Sequence, residues 1–216
     1  PYAAQAGLEI LKKGGNAFDA AVAVSLALGV VEPYHSGIGG GCFQVFYDKK
    51  KDQVYSVDAR GTAPKNASQD MFLDEKGEVD LNLTEFSGRS AAVPAFYRAM
   101  DQLLKSHGTM TWAEVSAPAV RLCREGFSCG FAYARISNTP EAEHNSREYE
   151  GFAELYLNNG KPRQFGEKIR NEELAAVMEA VAEKGVDWFY TGPIAEEITR
   201  QVNRYQGVLE KEDLEN

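Results

Sequence analysis

The sequence predicts an α+β protein with a mostly helical second half. Three observations carry that expectation. Residues 17–29 (AFDAAVAVSLALG) are almost wholly apolar, and 42–48 and 53–58 alternate like strands around a charged turn. From Pro94 onward, apolar residues recur at helical spacing. The chain has 216 residues, 44% apolar and 25% charged, which is enough to bury a sizeable core.

Residues 3–13 (AAQAGLEILKK) put Ala4, Leu8 and Leu11 on one helical stripe, and Gly14-Gly15 ends it. Asn16 caps the next helix, with Asp19 in its first turn. That helix, apolar on nearly every side, is expected to be buried all round. At roughly 20 Å it is too short to cross a bilayer. CFQVFYD and QVYSVD, joined by KKKD, read as a β-hairpin. Phe96, Tyr97, Met100, Leu103 and Leu104 form a stripe that stops before Gly108. Thr111 and Glu114 make a capping box for a helix to about Glu125, which Pro118 should kink. Asn171 caps a helix with Leu174, Val177, Met178 and Val181 on one face. Ile194, Ile198 and Val202 mark another, with Glu196 and Arg200 placed to pair at i,i+4. The polar stretch 138–169 shows no clear period, and no repeat or linker divides the chain.

Composition excludes several functions. With 32 Asp+Glu against 23 Lys+Arg and no basic run, a nucleic-acid partner is not expected. Cys42, Cys123 and Cys129 are sparse and contain no C-x-x-C, which argues against a disulfide scaffold and a structural zinc site. The opening PYAAQAGLEI has no basic region followed by a long apolar run, so any targeting segment is expected to lie outside this sequence.

The glycine cluster HSGIGGGCF (35–43) first suggests a phosphate loop. The order here, however, is helix, glycines, strand, the reverse of a dinucleotide or P-loop site, and the spacing fits neither motif. Two readings stay open. One is steric: the turn needs φ > 0, and close backbone packing leaves no room for a Cβ. The other is a cramped wall lying against a substrate. VDARGTAP (57–64) places Arg60 just beyond a strand end between small neighbours. There its fork can meet a carboxylate bidentately, or simply pair with Asp58. His35, His107 and His144 are scattered, His107 as a helix-end cap. The acidic pairs 172–173 and 196–197 and the run 210–215 read as solvated helix starts. Trp188-Phe189-Tyr190 reads as core packing.

Taken together, AGLEILKKGGNAFDAAVAVSLALGVVEPYHSGIGGGCF, VDARGTAP, SGRSAAVPAFYRAM, GTMTWAEVSAPAVRLCREGF and DWFYTGPIAEEI resemble the large subunit of the γ-glutamyltranspeptidase family. The resemblance implies part of an N-terminal-nucleophile (Ntn) hydrolase αββα sandwich. It also implies that 1–216 is a single, incomplete domain: a helix–hairpin core over 1–93 and a mainly helical portion over 94–216. It implies a self-cleaving precursor whose small subunit begins with the nucleophilic threonine, outside this chain, so no catalytic residue is expected here. The implied reaction passes the γ-glutamyl group of a donor such as glutathione to an amine or peptide acceptor or to water, with no cofactor or metal. Arg60, matching the family's D-x-R-E-x-A-P arginine, is then the substrate-binding residue for the donor's α-carboxylate. Placement in the periplasm, outside the cell or on its surface is also implied. The sequence departs from the pattern at Gly61, where glutamate is usual, at Ala92 and Ala95, where glycines are usual, and at the extra charge of Arg89. These departures leave the substrate open between γ-glutamyl donors, a glutaryl-type acylase and a poly-γ-glutamate depolymerase; a non-enzymatic binding relative whose downstream threonine is lost is a separate alternative.

Overall fold

The computed structural model describes the whole chain except the side chain of Glu150. Helices α1 (Tyr2–Lys12) and α2 (Ala17–Val31) precede strands β1 (Cys42–Asp48) and β2 (Gln53–Ala59). Next come α3 (Leu81–Glu85), α4 (Phe96–His107), α5 (Trp112–Glu125), the short strand β3 (Phe127–Ser128) and α6 (Phe131–Ser137). The polar stretch then folds as α7 (Pro140–Glu148), α8 (Glu150–Tyr156) and strands β4 (Leu157–Asn158), β5 (Lys161–Pro162) and β6 (Lys168–Ile169). Helices α9 (Glu172–Lys184), α10 (Asp187–Thr191), α11 (Pro193–Arg204) and α12 (Lys211–Glu215) complete it. The fold is α+β with a mostly helical second half, as expected. Among the described residues no helix is long and apolar enough to cross a membrane. The chain forms two compact units, one from 1–37 with 107–179 and the other from 38–106 with 180–216.

In the first unit α2 begins at the expected cap. Asn16 Oδ1 accepts the amides of Phe18 (2.8 Å) and Asp19 (3.1 Å), and Asp19 returns a carboxylate oxygen to the Asn16 amide at 2.8 Å. The fully buried Asp19 also accepts the Thr109 amide (2.9 Å), the Thr109 hydroxyl (2.7 Å) and the Met110 amide (3.1 Å). One carboxylate thus starts a helix and ties down the loop before α5. The Thr111–Glu114 capping box forms as expected, and α5 runs through Pro118 to Glu125.

Two expectations need correction here. In α1 the buried residues are Ala3, Ala6, Gly7 and Ile10, while Leu8 and Leu11 are about half exposed. The smaller face wins because it lets two helices approach closely. A Cβ on Gly7 would stand 2.6 Å from Val24 Cγ2 and 3.5 Å from the Ala20 carbonyl oxygen on α2. Nor is α2 buried on all sides: Ala21 is exposed, and Val24 and Leu28 are half-buried. With Val31 these two line an open cleft, so part of the helix surface stays uncovered.

The second unit holds the hairpin, paired antiparallel from Cys42↔Ala59 to Asp48↔Gln53. Its core is the expected α4 stripe, buried at Phe96, Tyr97, Met100, Leu103 and Leu104. Phe189 and Tyr190 pack in the interior, with the Phe189 ring 4.8 Å from that of Tyr97. The Arg98 guanidinium lies 4.3 Å over Tyr190 and donates to the Leu214 carbonyl at 2.7 Å, joining α4, α10 and α12. Arg200 does not pair with Glu196. It takes Glu197 with two hydrogen bonds, 2.6 and 2.9 Å, because the i,i+3 offset suits both arms of the fork. Glu196 meets Lys211 Nζ instead, at 3.2 Å.

Candidate functional site

Period-2 alternation divides the hairpin into two faces. Phe43, Val45 and Tyr47 of β1 and Val54 of β2 are 68%, 74%, 54% and 70% exposed. Asp58, opposite Phe43 in the register, shares that face. Arg60 follows one residue beyond β2, also exposed, with its guanidinium carbon 5.9 Å from the centre of the Phe43 ring. Among the described residues no carboxylate lies within ion-pair distance of this guanidinium. The simple pairing with Asp58 is therefore not what forms. Asp58 Oδ1 accepts the backbone amide of Arg60 instead, at 3.0 Å. The fork stays free for a ligand's carboxylate.

Three motif segments far apart in sequence meet around that arginine. The carbonyl oxygen of Gly40 accepts the amides of Ala95 and Phe96, both at 2.9 Å, and so caps the start of α4. Those two donors are consumed, and the Arg98 amide goes to the Tyr190 hydroxyl at 3.3 Å, so this helix start is occupied by the protein's own acceptors. A Cβ at Gly41 would collide with the Ala59 carbonyl oxygen and sit 2.9 Å from both Arg60 Cα and Gly61 N. The glycine turn therefore lies flat against the peptide that carries Arg60. At Gly41 that bears out the close-packing half of the steric reading. The conformational half is corrected: the left-handed glycines include Gly14, Gly77 and Gly126, but none of 37–41. Gly41 is needed for space, not for φ, whereas a Cβ at Gly37 or Gly39 would meet nothing within 4 Å.

The third segment explains a departure. Val93 donates its amide to the Thr62 carbonyl at 2.9 Å. A Cβ at Gly61 would then stand 2.6 Å from the Val93 carbonyl oxygen and 3.0 Å from Ala92 Cβ. With alanine at 92 and the backbone this near, position 61 has no room for a side chain. Arg89, the added charge, donates to the Met71 carbonyl at 2.6 Å and serves as a loop tie.

The remaining candidates stand elsewhere. The His35 ring meets Tyr34 edge-on at 4.8 Å, and that of His107 stacks on Phe18 at 4.7 Å. Cys123 is buried, and burial pushes its thiol up to about 12, far from a nucleophile's range. Asp58 as a support for Arg60, and Gly40 as a helix cap, were the features that motif reading missed. The D-x-R spacing was the available signal, since an Asp side chain readily bonds the amide two residues on.

An α+β scaffold with an unpaired guanidinium at a strand end is equipped to grip a carboxylate. Its class follows from superposition. The solved γ-glutamyltranspeptidase of Helicobacter pylori aligns with a TM-score of 0.93 at 32% identity, over 99% of this chain and 61% of that one. This is the large-subunit part of the Ntn-hydrolase αββα sandwich. The family model for gamma-glutamyltranspeptidase matches residues 3–216, and the chain belongs to that family. It is 35% identical to the glutathione hydrolase proenzyme of Bacillus subtilis over all of its length. It is 36% identical to that of Escherichia coli over 98% of its length. It spans 36% of each of these relatives, about a third.

Proposed function

We propose that the complete protein transfers or hydrolyses the γ-glutamyl group of glutathione and related γ-glutamyl amides, and that Arg60 holds the donor's α-carboxylate. The single observation that carries this is the Arg60 fork, exposed and unclaimed by any carboxylate among the described residues. The attacking threonine belongs to a small subunit released from the same precursor, and an amine, a peptide or water takes the acyl group. Fixing one end of the donor presents its γ-carbonyl to the threonine, so that binding at Arg60 becomes proximity at the reacting carbon. The threonine's own α-amine serves as base, and its oxygen forms the acyl-enzyme.

The test is donor kinetics in the full-length processed protein. Arg60→Ala removes charged hydrogen bonds worth roughly 1.5–3 kcal/mol, so donor KM should rise about 10- to 150-fold. Arg60→Lys keeps the charge but loses the fork, and should fall in between. An unchanged kcat/KM for γ-glutamyl donors in Arg60→Ala would remove this residue from the site.

A further inference from the structure

A long side chain beyond the last rung of a ladder binds weakly unless something fixes it, because each ordering event costs binding energy. The β1–β2 ladder ends at Cys42↔Ala59, so Arg60 lies one residue outside it. Two side chains on the same hairpin meet that residue. Asp58 Oδ1 accepts its backbone amide at 3.0 Å, and the Phe43 ring lies 5.9 Å from its guanidinium carbon. We propose that Asp58 and Phe43 are positioning residues for Arg60: the carboxylate fixes the direction in which the side chain leaves the backbone, and the ring steadies the guanidinium. The inference rests on reading Arg60 as the donor's carboxylate anchor.

The two residues act by different means. The Asp58 carboxylate would compete with the donor if it turned to the guanidinium. By bonding the amide it orders the arginine while leaving all five guanidinium N–H groups free. The contribution is that of an acceptor oxygen at one position, which an amide side chain also supplies. Phe43 contributes the negative face of its ring, a weak attraction that an aliphatic residue lacks.

The experiment is a double-mutant cycle on donor KM and kcat in the full-length processed protein. Asp58→Ala loses one hydrogen bond and should raise donor KM about 3- to 10-fold with kcat within about 2-fold. Asp58→Asn keeps the acceptor and should stay within about 2-fold of wild type. Phe43→Leu should raise KM about 2- to 5-fold. In an Arg60→Ala background none of the three should change KM further, because nothing is left to position. If Arg60→Ala raises KM but Asp58→Ala does not, or if the two effects add, positioning is refuted and the anchor stands. Should Asp58→Asn be as weak as Asp58→Ala, charge rather than the acceptor matters, and the proposal also falls. If Arg60→Ala itself leaves KM unchanged, the anchor is wrong and the positioning role goes with it.

Discussion

Asp19 and Arg60 show how the role of a charged side chain is set by its partners. Arg60 carries its charge unpaired on an exposed face, whereas Asp19 carries its charge fully buried. Burial alone would raise the Asp19 pKa. Hydrogen bonds from the Thr109 hydroxyl and from the amides of Asn16, Thr109 and Met110 outweigh it, and the group sits below the usual carboxylate range. A depressed folded-state pKa gives stability that is present above the unfolded value, about 3.9, and is lost as pH falls through the folded one. Asp19→Asn leaves several buried donors poorly matched and should cost about 3 kcal/mol at pH 7. Its deficit against wild type should narrow below about pH 4, where the unfolded wild-type carboxylate takes up a proton that the native one, with its lowered pKa, resists. Thermal melts between pH 7 and pH 3.5 check this, and parallel curves for the two proteins would contradict it.

At the scale of elements, the sequence was most legible where a local signal decides the outcome. The caps at Asn16 and Thr111 and the stripe from Phe96 to Leu104 all formed as read. The β4–β5 turn was also written locally, in Asn159-Gly160, whose φ values of 51° and 73° are those such a dipeptide favours in a hairpin. The polarity around that pair hid it. The face of α1 was not legible, because hydrophobicity ranks leucine above glycine while close helix packing ranks them the other way. Likewise the support of Arg60 depends on contacts between residues 40–41, 58–62 and 92–96, which no single window contains. The α1–α2 contact gives a test with a change of sign. Gly7→Ala should gain up to about 1 kcal/mol of helix propensity. The new Cβ, however, would meet Val24 Cγ2 at 2.6 Å, and a valine in a helix has little rotamer freedom to move aside. Overpacking should win, for a net loss of about 1–2 kcal/mol. In a Val24→Ala background the same change should become stabilising. Denaturant unfolding of the four proteins decides it, and the same sign in both backgrounds would refute the contact.

For the whole molecule, the hairpin is the element least able to stand by itself. Two strands alone are marginal in water, and among the described residues no third strand pairs with either edge. One face presents Phe43, Val45, Tyr47 and Val54, each more than half exposed. Covering these four side chains is worth on the order of 5 kcal/mol. In the sandwich fold to which the chain belongs, a sheet gains its stability from further strands and from a second sheet packed against it. The remaining two-thirds of the relatives' length is where such strands would come from. Arg60 extends from the same hairpin, so its geometry is expected to sharpen once that face is covered. Amide hydrogen exchange on 42–48 and 53–59 tests this directly. These amides should exchange at least about 1,000-fold more slowly in the full-length protein than in the 1–216 segment, the ratio that a burial free energy of this size implies. Amides of α4, whose buried stripe already packs against α10, should differ far less. Equal hairpin rates in both proteins would mean that the exposed face is a true surface, and that Arg60 works from a free-standing hairpin.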